Sequence, residues 1–141
     1  MRVCIHRGSK QIGGSCVEVE SFGQRLLIDL GLPLEAENNS VQYLPDIVGL
    51  DGSDPSLLGI LISHPRLDHF GLLTHISSKI PVGIGSAARR ILTAAAPFLQ
   101  EIPVAKLQDT TQIAQDQAYP RNIDLKNGAE IRNRYRRYNC L

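Results

Sequence analysis

Ser63-His64-Pro65-Arg66-Leu67-Asp68-His69 decides how this chain is read. It directly follows Gly59-Ile60-Leu61-Ile62, an aliphatic run that reads as a buried strand. A strand end opening into a loop is where α/β proteins place reactive groups, because the sheet fixes the backbone and the loop aims the side chains. Imidazole and carboxylate together suit zinc, manganese or iron. Asp68 and His69 are adjacent, so both can face one ion only where the backbone turns sharply, as at the mouth of a helix. On spacing alone a second reading stands beside this one: Asp68 caps the helix that follows, with His69 in its first turn.

Upstream, Val3 and Ile5 share one face of a strand, as do Val17 and Val19 within residues 15–21. Phe22-Gly23-Gln24 is a short break that predicts a hairpin with Gly23 in the turn. Arg25 to Asp29 is a continuous apolar run ending in a carboxylate, which suits a strand covered on both faces. Three strands within thirty residues predict a sheet growing from its edge toward its centre. Residues 31–58 carry Gly, Pro, Asn, Ser and Asp throughout and read as a long loop. Downstream, residues 70–76 read as a helix and Pro81 to Gly85 as a short strand. Ser86 is then placed to cap a helix with Ile91, Leu92, Ala95 and Leu99 on one stripe. The fold class is α/β, a mixed sheet with flanking helices.

Length and composition agree with one domain. The 141 residues are 43% hydrophobic, and 15 basic against 14 acidic side chains give a net charge of +1. That balance argues against a wholesale polyanion binder. No apolar run reaches the roughly 18 residues of a membrane span, and the first residues are too short an apolar stretch for a signal peptide. Three cysteines without C-x-x-C spacing, Cys4, Cys16 and Cys140, indicate neither a disulfide framework nor a cysteine zinc site, so a cytoplasmic protein with reduced thiols is expected. Residues 129–141, with four Arg and one Glu, divide from residues 1–128 and are expected to form a basic, disordered tail, with an RNA-touching tail as the alternative.

The turn at His64–His69 resembles the signature His-x-His-x-Asp-His of the metallo-β-lactamase-fold hydrolases. The opening is similar too, from the glycine-rich Gly8–Ser15 through a Val-rich strand to Leu26-Leu27-Ile28-Asp29-Leu30-Gly31. It resembles above all the ribonuclease J-like, RNA-processing branch, and order and spacing match from Met1 to about residue 100. The resemblance implies part of a four-layer αββα sandwich, mainly its first sheet, with a two-zinc site at one end. His64 would help hold the first ion, Asp68 and His69 the second. Asp29 would support the turn, and Asp68 would be catalytic by orienting a metal-bound hydroxide toward a phosphodiester such as RNA.

Two departures bear on activity. Arg66 stands where the family has its second histidine, and a guanidinium has no lone pair with which to ligate. The family's later ligands find no counterpart, since no histidine follows residue 75. The expectation is a truncated or degenerate hydrolase, ended early as by a frame change, inactive as it stands and weak in metal affinity. Its first sheet would show an apolar face open to self-association or a protein partner. The alternatives are a non-catalytic binding module using that face, and a dinucleotide site at Gly83-Ile84-Gly85 with Glu101 as the ribose ligand. Gly8-x-x-x-x-Gly13-Gly14-Ser15 imitates a phosphate-binding loop but lacks its lysine and its following helix. Its glycines are expected to turn tightly or approach the site's rim. His6 and His75 are expected to be surface or satisfied core histidines, and Cys4 and Cys16 packed thiols.

Overall fold

Alternating side chains in the first thirty residues build an antiparallel meander in the computed structural model, which describes residues 1–98 and 106–109. Its strands are β1 (Arg2–Arg7), β2 (Cys16–Ser21) and β3 (Gln24–Ile28). Ser21 pairs with Gln24, leaving Phe22 and Gly23 as a two-residue loop with φ of 52° and 77°. Two left-handed residues are what matches a tight hairpin to the twist of its strands, so the hairpin expected at Gly23 forms. Three parallel strands continue the sheet: β4 (Leu57–Ile62), β5 (Val82–Ile84) and β6 (Leu107–Asp109). Order in the sheet follows order in the chain, from β1 at one edge to β6 at the other. The fold is mixed α/β, as the sequence predicts.

The helical segments differ in detail from expectation. The helix predicted over 70–76 begins earlier, as α1 (Leu67–Phe70), and then tightens into a 3-10 segment at Gly71–His75. Helix α2 spans Ser86–Ala95, with Gly85 rather than Ser86 at the cap position and no side-chain cap bond. Of the stripe predicted on α2, Leu92 is buried, but Ile91 points outward and is 57% exposed. Leu99, Glu101 and the 129–141 segment lie outside the described residues. No helix among the described residues is long and apolar enough to cross a membrane.

One face of the sheet is packed. Leu27, Ile60, Val82 and Leu107 lie side by side across β3 to β6, all buried. Phe70, Leu72, Leu73 and Leu92 join them, with Ile47 and Leu50 from the long connection after β3. That connection is therefore structured in part, with a 3-10 turn at Val41–Tyr43. Arg25, on β3, holds its far end. The guanidinium donates to the Val48 carbonyl (2.7 Å), Asp54 (2.9 Å) and Ser56 Oγ (3.0 Å), and also meets Glu18 at 3.3 Å. Cys4 and Cys16 are buried, and burial pushes the Cys16 thiol up to about 12.

Among the described residues no layer covers the other face. Val3, Val19 and Leu26 form one cross-strand row, and Ile5, Val17, Ile28 and Leu61 form a second. Val3 is 53% exposed, Ile5 56% and Ile28 37%. β3 is thus covered on one face, not both, because the described residues supply packing only on the α1–α2 side. Polarity is inverted on β1 and β2. Their charged side chains sit on the packed side, where Glu18 is buried between Arg25, His6 and Arg2, while their aliphatics face outward.

Candidate active site

The end of β3 and the end of β4 lie side by side, so Asp29 and the turn after Ile62 meet at one edge of the sheet. Asp29 is buried and held at φ 64°, a left-handed conformation that aspartate tolerates better than most residues. Its amide donates to the Leu61 carbonyl at 2.8 Å. Its carboxylate accepts three bonds: from the Ser63 amide (2.7 Å), from the Ser63 hydroxyl (2.7 Å) and from His69 Nδ1 (2.8 Å). A carboxylate accepts only, so the network assigns a proton to His69 Nδ1. Asp29 therefore fixes the orientation of the imidazole, in the manner by which a carboxylate aims a ligand histidine.

His69 Nε2 lies 3.6 Å from Asp68 Oδ2, so the backbone does turn sharply enough to bring these adjacent side chains together. The capping reading of Asp68 fails: Arg66 occupies the cap position of α1 and no side chain caps it. Asp68 is buried and its other oxygen, Oδ1, meets Arg66 Nε at 3.2 Å. His64 is exposed, with its ring 5.2 Å from that of His69, centre to centre. Two backbone segments brace the turn. Leu30 and Leu32 amides donate to the carbonyls of His69 and Leu67, and the Ser15 amide donates to that of Asp68. A Cβ on Gly31 would run into the Asp68 carbonyl, and one on Gly13 would come 3.2 Å from Asp68 Cβ. The glycine-rich segment is thus the rim of the site, with Gly8, Gly13 and Gly14 all at positive φ.

These contacts test whether a metal fits. An ion on Asp68 would have to displace or share the carboxylate with a guanidinium, whose positive charge repels it. Among the described residues no three of His, Cys, Asp and Glu converge to hold a metal ion. The donors that the described residues present do not fit a two-metal centre. Ser63, which the sequence did not single out, joins the site through its two hydrogen bonds to Asp29. His6 and His75 stand apart from the turn, on Glu18 (3.3 Å) and Asn39 (2.9 Å). Gly83 lies within β5, and the turn at Gly85 borders a cavity lined by Ser86, Arg89, Arg90 and Asp109.

No family model matches the sequence. Over 75 residues the chain is 32% identical to the transcription termination factor FttA of Methanosarcina mazei, a match covering 52% of this chain and 11% of that protein. It is equally 32% identical over 75 residues to an RNase J-like protein of Methanocaldococcus jannaschii, covering 53% of this chain and 15% of that one. A solved protein of unknown function from Enterococcus faecalis V583 superposes with a TM-score of 0.56 at 19% identity, over 68% of this chain and 28% of that chain, which establishes a shared fold. The chain spans less than a sixth of the curated relatives it matches. The resemblance to the metallo-β-lactamase-fold, ribonuclease J-like group rests on these sequences as well as on the motif.

Proposed function

We propose that this chain carries the opening portion of a metallo-β-lactamase-fold phosphodiester hydrolase in which the turn's scaffold is kept and its metal chemistry is lost. The ancestral substrate in this reading is RNA or a similar phosphodiester, in keeping with the RNase J-like relative. The ancestral cofactor is zinc, with His64 serving one ion and Asp68 and His69 the other. One observation carries the reading: Asp29 still binds Ser63 and His69, while Arg66 has paired with Asp68. The support that aims a ligand histidine is intact, and the cation it would serve is replaced by a guanidinium. Asp29 holds the Nδ1 proton of His69, Ser63 anchors Asp29, and the Gly13 rim shields Asp68 from the side of the glycine-rich segment. The burial of Cys4 and Cys16 and the lack of C-x-x-C spacing accord with a cytoplasmic setting.

Metal content and turnover test this together. Purified protein is expected to hold well under one zinc per chain and to hydrolyse bis(p-nitrophenyl) phosphate at the background rate, with Arg66→His raising the zinc content. Turnover that Asp68→Ala abolishes would overturn the reading. The open sheet face favours a second reading, a non-catalytic module whose Val3, Ile5 and Ile28 pack on a protein partner. Light scattering after size exclusion separates the two: a monodisperse folded monomer favours the hydrolase lineage, and a partner-dependent fold favours the module.

A further inference from the structure

We propose that the His64–His69 turn binds a phosphate oxyanion without a metal, using the guanidinium of Arg66 as its resident cation. The inference rests on the reading above, that this turn is the site of a former phosphodiester hydrolase, and it follows from the misfit between the donor set and a metal centre. Arg66 Nε is anchored on Asp68 Oδ1 at 3.2 Å, yet the side chain remains 66% exposed. A guanidinium has five donors, and the anchor uses the one on Nε. Its two Nη groups present a planar fork that matches two oxygens of a phosphate. Asp68, only 11% exposed in its side chain, anchors the guanidinium at Nε.

His64, two residues before Arg66, is also exposed, with its ring 5.2 Å from that of His69. Asp68 limits affinity, because its negative charge opposes the anion that Arg66 attracts. This sets a sign that separates the two kinds of site. At a metal site, loss of the Asp68 charge removes a ligand and weakens binding. At a guanidinium site, the same loss leaves the cation uncompensated and strengthens binding.

The experiment uses the full chain, treated with EDTA, and a fluorescein-labelled oligouridylate read by anisotropy, with inorganic phosphate as competitor. Binding is expected to persist in EDTA, to weaken about tenfold in Arg66→Gln, as for loss of a charged hydrogen bond, and to tighten in Asp68→Asn. Displacement by millimolar phosphate would identify the oxyanion alone as the ligand, and resistance to it would identify a strand with further contacts on the same anchor. No binding in EDTA, equal binding by Arg66→Gln, or binding that needs zinc and is lost in Asp68→Asn would overturn the inference. Arg66 is exposed, so Arg66→Gln carries the test if thermal melts show that Asp68→Asn has not folded. Zinc-dependent turnover lost in Asp68→Ala would instead overturn the hydrolase reading, so the two failures are distinguishable.

Discussion

Asp29 shows how much can depend on one side chain. It is buried, left-handed and triply bonded, so removing its carboxylate strands the Ser63 amide and hydroxyl and frees the His69 ring. Asp29→Ala is expected to cost about 3 kcal/mol in urea denaturation, the scale of a buried charged acceptor lost together with its donors. Asp29→Asn, which tolerates the same φ, should recover part of that. At this scale the sequence was legible for residue type and not for pairing. His64, Asp68 and His69 stood out because their chemistry is rare after an aliphatic strand. The Arg66–Asp68 pair did not, because it depends on an extended Arg66 backbone (φ −130°, ψ 148°) that no local signal announces. Ser63 likewise gained its role only from a residue 34 positions away.

Among the elements, the meander was legible and the connection after it was not. Alternation at Val17 and Val19 and the break at Phe22-Gly23 fix β2, β3 and their turn by local rules. Residues 31–58 have no such period. Their order comes from distant contacts, with Ile47 and Leu50 in the core and Arg25 gripping residues 48–56. Arg25→Ala also leaves Glu18 buried without its nearest guanidinium, and about 3 kcal/mol is expected from that alone. Acid should loosen the same segment. Hydrogen bonds from the Ser56 amide and hydroxyl, helped by Arg25, hold the Asp54 carboxyl below the usual carboxylate range. A depressed acid stabilises the fold above its ordinary range and loses that contribution as pH falls through its folded value. Amide exchange in residues 48–56 should therefore rise below about pH 4, near the ordinary Asp value, and rise less in Asp54→Asn.

At the scale of the molecule, the apolar rows of the sheet outnumber the cover that the described residues supply. Seven aliphatics on the open face of β1 to β4 have no layer over them among the described residues. A double variant, Ile5→Thr with Ile28→Thr, keeps strand-forming side chains and should change stability by less than about 1 kcal/mol. It should lower dye binding by anilinonaphthalene sulfonate and reduce concentration-dependent association in sedimentation. Unchanged association would place the sticky surface elsewhere. Spatial order and chain order coincide throughout the sheet. Each new strand leaving the ribosome therefore finds its neighbour already synthesised, and none must wait for a later one. Growth can proceed vectorially from the first hairpin, so a nascent polypeptide halted between strands still holds every emerged strand in a ladder, with a single advancing edge awaiting the next.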